Sequence, residues 1–407
     1  MAVVIVGTLD TKSEEIGFAR DVLQAQGVDV HIVDTGVVGE PGIEPDTAAI
    51  EVAEAAGTSL EHLQEEADRG EAMAAMGEGA TAIAQRMHDD GDLDGIMGLG
   101  GSGNTSIATT AMRALPVGVP KLMVSTMASG DTEPYVGARD IMMLYSVADI
   151  EGLNQLSRQV IANAALAIVG MVTNEPAVEV DAKPTIGITM FGVTTPAAKT
   201  ARASLEARGY ETIVFHATGT GGRAMESLIE EGVVDGVLDL TTTEWADELV
   251  GGVLNAGPDR LDAAGERGIP QVVSTGALDM VNFGPRESVP EEFEGRNFHV
   301  HNPQVTLMRT TPDENAELGE IIGKKLAAAT GPTALALPLG GVSMLDIEGE
   351  EFYDPEADTA LFDALRESID DEIELVELET DINDEAFAER LAETIDNYMQ
   401  AAGVAPK

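Results

Sequence analysis

Apolar residues along this chain follow two alternating patterns. Short unbroken runs of four to six, such as Val3–Val6, give way to longer stretches in which apolar positions recur every three or four residues. Unbroken runs suit strands buried on both faces, and the longer period suits the amphipathic helices that cover them. The alternation predicts an α/β fold with parallel sheets. Strands are expected at Val3–Val6, Val28–Val33, Gly95–Gly98 and Lys121–Ser125, and again at Thr185–Met190, Thr212–His216, Gly236–Leu240, Gln271–Thr275 and Ala334–Leu337. Between the two sets, "TNEPAVEVDAKP" (173–184) holds two prolines and mixed polarity and reads as a linker.

The two sets resemble one another in order. "VVIVGTLDTKSEE" aligns with "TIGITMFGVTTPAAK", "GVDVHIVDTG" with "GYETIVFHATGTGG", "DLDGIMGLGGSGN" with "VVDGVLDLTTTEW", and "GVPKLMVSTMASGD" with "GIPQVVSTGALDM". The expectation is two Rossmann-like parallel-sheet domains related by internal duplication, residues 1–178 and 184–407, each binding at the carboxyl ends of its strands. The first half carries an extra helical segment near Thr47–Arg86. The second carries extra material at Pro285–Thr310 and an acidic helix near Asp384–Ala401. The methionine-rich stretches "MMLYSV" and "EAMAAMGEG" read as core or helix packing.

Charge changes this picture. Among 407 residues, 23 are Lys or Arg and 72 are Asp or Glu, a net charge of −49. The acids are interspersed with the apolar period, as on a solvated, salt-adapted surface, and not gathered in a tail. This predicts a halophilic cytoplasmic protein of a high-salt cytosol, one that repels nucleic acid and anionic membranes. No run of eighteen apolar residues predicts a transmembrane helix. The opening "MAVVIVGTLD" lacks a basic leader and reads as a strand. There is no cysteine, which excludes disulfides, thiolate metal sites and cysteine nucleophiles. Six histidines remain without an HExxH and no metal site is assigned, although His299 and His301 could be two metal ligands if His216 or Asp279 supplied a third. An anion site in such a chain must be assembled locally, from backbone amides and a few cations.

Several strand-end loops offer that. "GLGGSGNTSIAT" (98–109) satisfies GxGxxG between a strand and a helix. Dinucleotide binding is disfavoured, because the next strand ends in "LMVST" without an acid, and no Walker A loop exists. Glycines that tolerate positive φ, followed by a helix N-terminus, still suit a phosphate. Ser102, Asn104, Thr105 and Ser106 add donors or caps. "GTLDTKSEE" brings Thr8, Asp10, Thr11 and Lys12 to the same edge, and "STMASGD" brings Ser125, Thr126, Ser129, Gly130 and Asp131. Lys12 is expected to neutralise a phosphate, with Asp10 or Asp131 orienting Mg2+ through water; Asp10 or Ser13 alternatively caps the following helix.

The second half repeats the theme. Thr194 and Thr195, and then Gly219, Gly221, Gly222 and Arg223, form a candidate second pocket for a small anionic substrate. His216 ends a strand. His299 and His301, two apart, face the same way if extended. Arg309 is a candidate fork for a carboxylate or phosphate. His216, His299 and Arg309 are the catalytic candidates.

Taken together, "GTLDTKSEE", "GLGGSGNTS", "STMASGD", "DIMMLYSVADIEGLN", "MFGVTTP", "FHATGTGGRAME", "LDLTTTE", "GALDMVNF" and "LPLGGVSMLD" resemble the motif series of one family of uncharacterised proteins. That family includes the inhibitory region of the tomato mosaic virus resistance protein. The resemblance runs from Val3 to about Tyr398. It implies a two-domain α/β fold, ATP binding on the N-terminal half, and self-association as a dimer or tetramer; it implies no particular reaction. Carried over motif by motif, it places the nucleotide contacts at Thr8, Asp10, Thr11 and Lys12, at Gly100, Gly101, Ser102, Gly103, Asn104 and Thr105, and at Met127, Ala128, Ser129 and Gly130. Asn104 stands where a further glycine is common, and Ala197 where a cysteine is familiar. Three functions follow: an ATP-binding protein; a metabolic enzyme acting on a small phosphorylated or carboxylated substrate in an interdomain cleft; and a regulatory module without turnover.

Overall fold

The computed structural model describes residues 1–65, 67–174 and 183–406. It divides into two compact units, Met1–Glu179 and Val180–Lys407. Residues 175–182, most of the segment read as a linker, lie outside the described residues.

The first unit runs β1 (Ala2–Gly7), α1 (Ser13–Ala25), β2 (Asp29–Asp34), α2 (Ala49–Ala55), α3 (Leu60–Glu65), α4 (Arg69–Asp89), β3 (Gly95–Gly100), α5 (Ser102–Arg113), β4 (Lys121–Ser125), α6 (Glu133–Val136), β5 (Met142–Tyr145) and α7 (Gln155–Thr173). Its five strands are all parallel, in the order β2-β1-β3-β4-β5. Alternate residues of β1 feed two cores. Val3 and Ile5 pack with α1 and α7, while Val4 and Val6 pack with α2, α4 and α5. That two-sided burial is why the strand reads as an unbroken apolar run.

The second unit runs β6 (Thr185–Met190), α8 (Thr195–Ala207), β7 (Glu211–His216), α9 (Thr220–Glu230), β8 (Gly236–Thr241), α10 (Glu244–Val250), α11 (Ala263–Arg267), β9 (Gln271–Gly276), β10 (Met280–Phe283), β11 (Phe298–Asn302), β12 (Val305–Arg309), α12 (Pro312–Ala327), β13 (Thr333–Pro338), α13 (Pro355–Ser368), β14 (Glu374–Leu378) and α14 (Glu385–Ala401). Six parallel strands lie in the order β14-β13-β9-β8-β6-β7. The neighbours β7-β6-β8-β9 repeat β2-β1-β3-β4 strand for strand. A separate antiparallel sheet, β10-β12-β11, occupies the extra material near Pro285–Thr310.

Three expectations change. "MMLY" is the edge strand β5, so only Met143 and Leu144 pack against the cores, while Met142 and Tyr145 are exposed. β14 went unread because Glu374 and Glu377 interrupt its few apolar residues, as suits an exposed edge. And α7 is a helix long and apolar enough, by length and composition, to cross a membrane, although no single run in it reaches eighteen apolar residues. It opens with a capping box in which Asn154 accepts from the Leu156 and Ser157 amides, and it packs Ile161, Ala164, Ala165 and Ile168 onto the sheet.

Candidate functional site

In a sheet of order 2-1-3-4-5, neighbouring crossovers diverge between the first and third strands, leaving a crevice outside their carboxyl ends. The first unit has a cavity of about 930 Å³ there. The turn after β1 lines it with Thr8, Asp10, Thr11 and Lys12, and the turn after β3 with Gly100, Gly101, Ser102, Gly103 and Asn104. The loop after β2 and the ends of α3 and α4 supply Thr35, Val37, Val38, Leu63, Asp68, Arg69, Ala72 and Met73.

Three helix N-termini meet at this cavity. α5 begins after Gly101, which has no side chain to cap it, so its first amides are available. α1 begins after Lys12, an N-cap that makes no side-chain hydrogen bond. α4 begins at Arg69, after Asp68, which accepts from the Glu71 amide. A cation at a helix N-terminus opposes the positive end of the dipole. Two such cations, neither ion-paired among the described residues, face one cavity in a chain of net charge −49. The same cavity is lined by the carboxylates of Asp10, Glu65 and Asp68, so its walls carry both signs of charge.

Gly103 is an open point of the loop. A Cβ built on it lies 3.8 Å from Arg69 Nη2 and from Met73 Sδ, ordinary contact distance. It sits within α5 without a positive φ, so the reason expected for glycine does not apply here. What its missing side chain provides is room. Asp10 is held by the Val38 and Gly39 amides through Oδ2, while its buried Oδ1 has no partner; it does not cap α1, and Ser13 instead donates to Leu9 O and accepts from the Gly42 amide. Asp34, missed in the sequence, ties the loops together by accepting from Leu9 and Gly36 at 3.0 and 2.8 Å. Burial is the main cause raising its pKa, and the Asp10 charge adds to it.

Other expected contacts are engaged elsewhere. Asn104 Nδ2 donates to Val6 O and Leu99 O, fastening β1 to β3 at the cavity floor. Thr105 is fully buried, bonded to Gly101 O and Ser125 Oγ. Met127, Ala128, Ser129 and Gly130 form a 3-10 turn and its end beyond β4, and they do not line the cavity.

The second unit's counterpart crevice is filled. Thr194 Oγ1 meets Thr241 Oγ1 at 2.7 Å between β6 and β8, and Thr195 bonds Phe191 O. The glycine loop does hold an anion, but an internal one: Glu244 Oε1 accepts from the Gly219 and Gly222 amides at 2.7 and 3.0 Å. A Cβ on Gly222 would fall 2.2 Å from Glu244 Oε2. Gly221 is pressed against His216 O, and Arg223 Nη1 donates to Asn255 O. Arg260, a residue without a sequence signal, sits 1% exposed and pairs with Asp239, Glu244 and Glu226. These contacts engage the residues expected to line a second pocket with the unit's own groups.

The catalytic candidates are not brought to one cavity. Arg309 is buried, with Nη2 on Asp358 at 2.7 Å and Asp346 at 3.2 Å, Nε on Phe352 O and Nη1 on Thr310, so the carboxylates it forks are the protein's own. Burial, then the Asp279 charge, pushes the Asp346 carboxyl up to about 9. His216 is exposed at the end of an edge strand, its ring 5.6 Å from Phe191. His299 and His301 do share one side of β11, 6.2 Å apart, and His299 Nδ1 lies 2.5 Å from Glu351. Among the described residues no cluster of three metal-ligating side chains occurs.

Two family models cover the chain: the N-terminal domain of the uncharacterised protein family UPF0261 matches residues 1–177, and its C-terminal domain matches 183–399. The chain belongs to this family. Among UPF0261 proteins, one from Clostridium tetani is 55% identical over 98% of this chain and 99% of its own length. Another, from Mesorhizobium japonicum, is 48% identical over 96% and 98%. The tomato ToMV resistance protein Tm-1(GCR237) is 45% identical over 83% of this chain, a match that spans 45% of the tomato protein. The motif series read from the sequence therefore identifies the family correctly.

Proposed function

We propose that the cavity of the first unit binds ATP, with Mg2+. The observation that carries this is the pair of unpaired cations, Lys12 and Arg69, set with the open amides of α5 around a volume of about 930 Å³. Helix N-termini and cations receive phosphates. Val37, Val38, Leu63, Ala72, Met73 and Ile107 supply an apolar wall for a base. The free Oδ1 of Asp10 is an acceptor for a ribose hydroxyl or a magnesium-bound water. The amide nest and cations favour an anionic nucleotide over a neutral ligand. The salt-adapted reading of the surface, and with it a high-salt cytosol, belongs to the same proposal. The test is calorimetric titration of the full chain with ATP and Mg2+ at molar salt, with a sugar phosphate and a sugar acid as competitors. Saturable one-site binding of ATP supports the reading; binding of the small anions alone refutes it in favour of a metabolic substrate.

A further inference from the structure

The connection from β2 to α2 carries the most exposed large apolar side chain among the described residues: Val38, 93% exposed at the rim of the first unit's cavity. Residues 38–42 are all exposed, whereas Thr35 and Gly36 before them are buried. A lone exposed valine is ordinary on a protein surface. One that lines a cavity beside Val37, Leu63, Ala72 and Met73 stands where the apolar face of a ligand would cover it.

The ends of this loop and its middle are held differently. At one end the Gly36 amide donates to Asp34 Oδ1 at 2.8 Å; at the other the Gly42 amide donates to Leu9 O and to Ser13 Oγ, each at 2.9 Å. Both ends lie too close to their supports for a side chain: a Cβ on Gly36 would fall 2.8 Å from Asp10 Cγ, and one on Gly42 2.7 Å from Ser13 Oγ. Between them, side chains from outside the loop latch it. Gln64 Nε2 donates to Val37 O at 2.9 Å, and Asp10 Oδ2 accepts from the Val38 and Gly39 amides at 2.9 and 3.3 Å. Gln64 and Asp10 both line the cavity, so the groups that latch the loop are groups a ligand meets. The second oxygen of the Asp10 latch, Oδ1, is buried and unpartnered.

We propose that residues 37–41 form a lid that folds Val38 onto the base of a bound nucleotide, with Asp10 as its latch. The inference rests on the nucleotide reading of the cavity and adds a moving part to it. Closure takes an apolar side chain out of water and lays it against an apolar ring. It also removes solvent from the mouth of the cavity. The loop ends at Gly36 and Gly42 absorb the change in backbone direction, as hinges at element ends do. β2 stays paired with β1 as far as Gly7 and Asp34, so the motion stops at the sheet. A ligand donor on Asp10 Oδ1 orients the same carboxylate whose Oδ2 holds the Val38 and Gly39 amides, so occupancy and closure reinforce each other.

Hydrogen exchange of the full chain at molar salt, with and without ATP and Mg2+, tests it. The Val38 and Gly39 amides should exchange at least tenfold more slowly with nucleotide bound. Val38→Ser should speed nucleotide dissociation at least fivefold in stopped flow, and its ligand-free melting temperature should hold because the side chain it removes is exposed. Val38→Leu should keep the slow rate. Val253→Ser, at an apolar residue 62% exposed in the second unit, should leave the rate as it is. Because the chain lacks cysteine, Val38→Cys carries a single polarity-sensitive dye, whose emission should shift to the blue on binding. Calorimetry that finds no ATP binding overturns the nucleotide reading and the lid with it. Where ATP binds, unchanged exchange at Val38 and Gly39, or an unchanged dissociation rate in Val38→Ser, overturns the lid alone.

Discussion

Gly103→Glu should close the first unit's cavity, the proposed ATP site, without weakening the fold. The alignment of "GIMGLGGSGN" with "GVLDLTTTEW" sets Gly103 opposite Glu244, whose carboxylate fills the other unit's crevice. A Cβ at 103 finds ordinary contacts at 3.8 Å, so the backbone need not move. The new carboxylate lands in the first turn of α5, near Arg69. An acid there gains about 0.3–1 kcal/mol from the dipole. Replacing a helical glycine adds at most ~1 kcal/mol. For a domain of this size a gain of about 1 kcal/mol raises Tm by roughly 2–4 °C. Against ATP the same group repels phosphate and engages the donors that phosphate needs. Losing two charge-assisted contacts costs about 3–6 kcal/mol, or roughly two to four decades in Kd. The assay is thermal shift at molar salt, with and without ATP and Mg2+. At about 100 times Kd, ligand adds ~2.7 kcal/mol to the wild type, an upward shift of roughly 5–11 °C, which the variant should lose while its ligand-free Tm holds or rises. Gly103→Gln separates charge from bulk by keeping the size. An undiminished ATP shift in the glutamate variant would show that the loop is only a turn.

Lys12→Ala and Arg69→Ala should each weaken ATP binding by about one to two decades in calorimetry while leaving Tm near the wild-type value; unchanged affinity in both would move the phosphates elsewhere. Arg260→Met should destabilise the second unit by about 3–5 kcal/mol in chemical denaturation, because Asp239, Glu244 and Glu226 lose the cation between them; a near-neutral result would mean that protons replace it. Asp247 is pushed up to about 7, by burial first and also by the Glu244 charge, so from about pH 4 to 7 the folded state holds a proton that the unfolded state has released, and stability falls as pH rises through that window. Asp247→Asn should flatten this slope in denaturation measured at pH 5, 6, 7 and 8, with Asn282, whose Oδ1 is unpartnered, turning its amide to accept; a slope as steep as the wild type's would assign it to other groups. In dilute buffer the −49 charge should lower Tm relative to molar salt, and a salt-independent Tm would contradict the salt-adapted reading.

The inner strands were legible because the middle of each sheet is buried on both faces. Lys121–Ser125 and Thr185–Met190 stand where the apolar runs placed them, Val28–Val33 shifted by one residue to Asp29–Asp34, and the others gained a residue or two. The cavity was legible in part for the same reason: a strand end followed by glycines must lie at the sheet's carboxyl edge. Arg69 was not, because it approaches from α4, 34 positions before Gly103, and local spacing carries no trace of that. Nor could spacing distinguish an open glycine loop from an occupied one. Arg260 is held by three acids, the earliest 34 residues before it in the chain, and it has no motif of its own. Arg309 looked like a free fork because its partners, Asp346 and Asp358, come from the loop after β13 and from α13.

The two halves show what a glycine at these positions does. Register places Gly98 opposite Asp239 and Gly103 opposite Glu244 in strands that begin alike at Gly95 and Gly236. In the second unit both positions carry carboxylates, Arg260 lies between them, and the helix N-terminus at Gly219 is satisfied from within. In the first unit both carboxylates are missing, no internal arginine is needed, and the amides and cations face open volume. Filling the crevice stabilises a unit by completing its polar groups, and emptying it leaves them to be completed by something else. The first unit is thus the one with room for a ligand, and Gly103 matters chiefly as the absence of an acid, whereas the bare Cα of Gly98 leaves room for Ala108 and Met123.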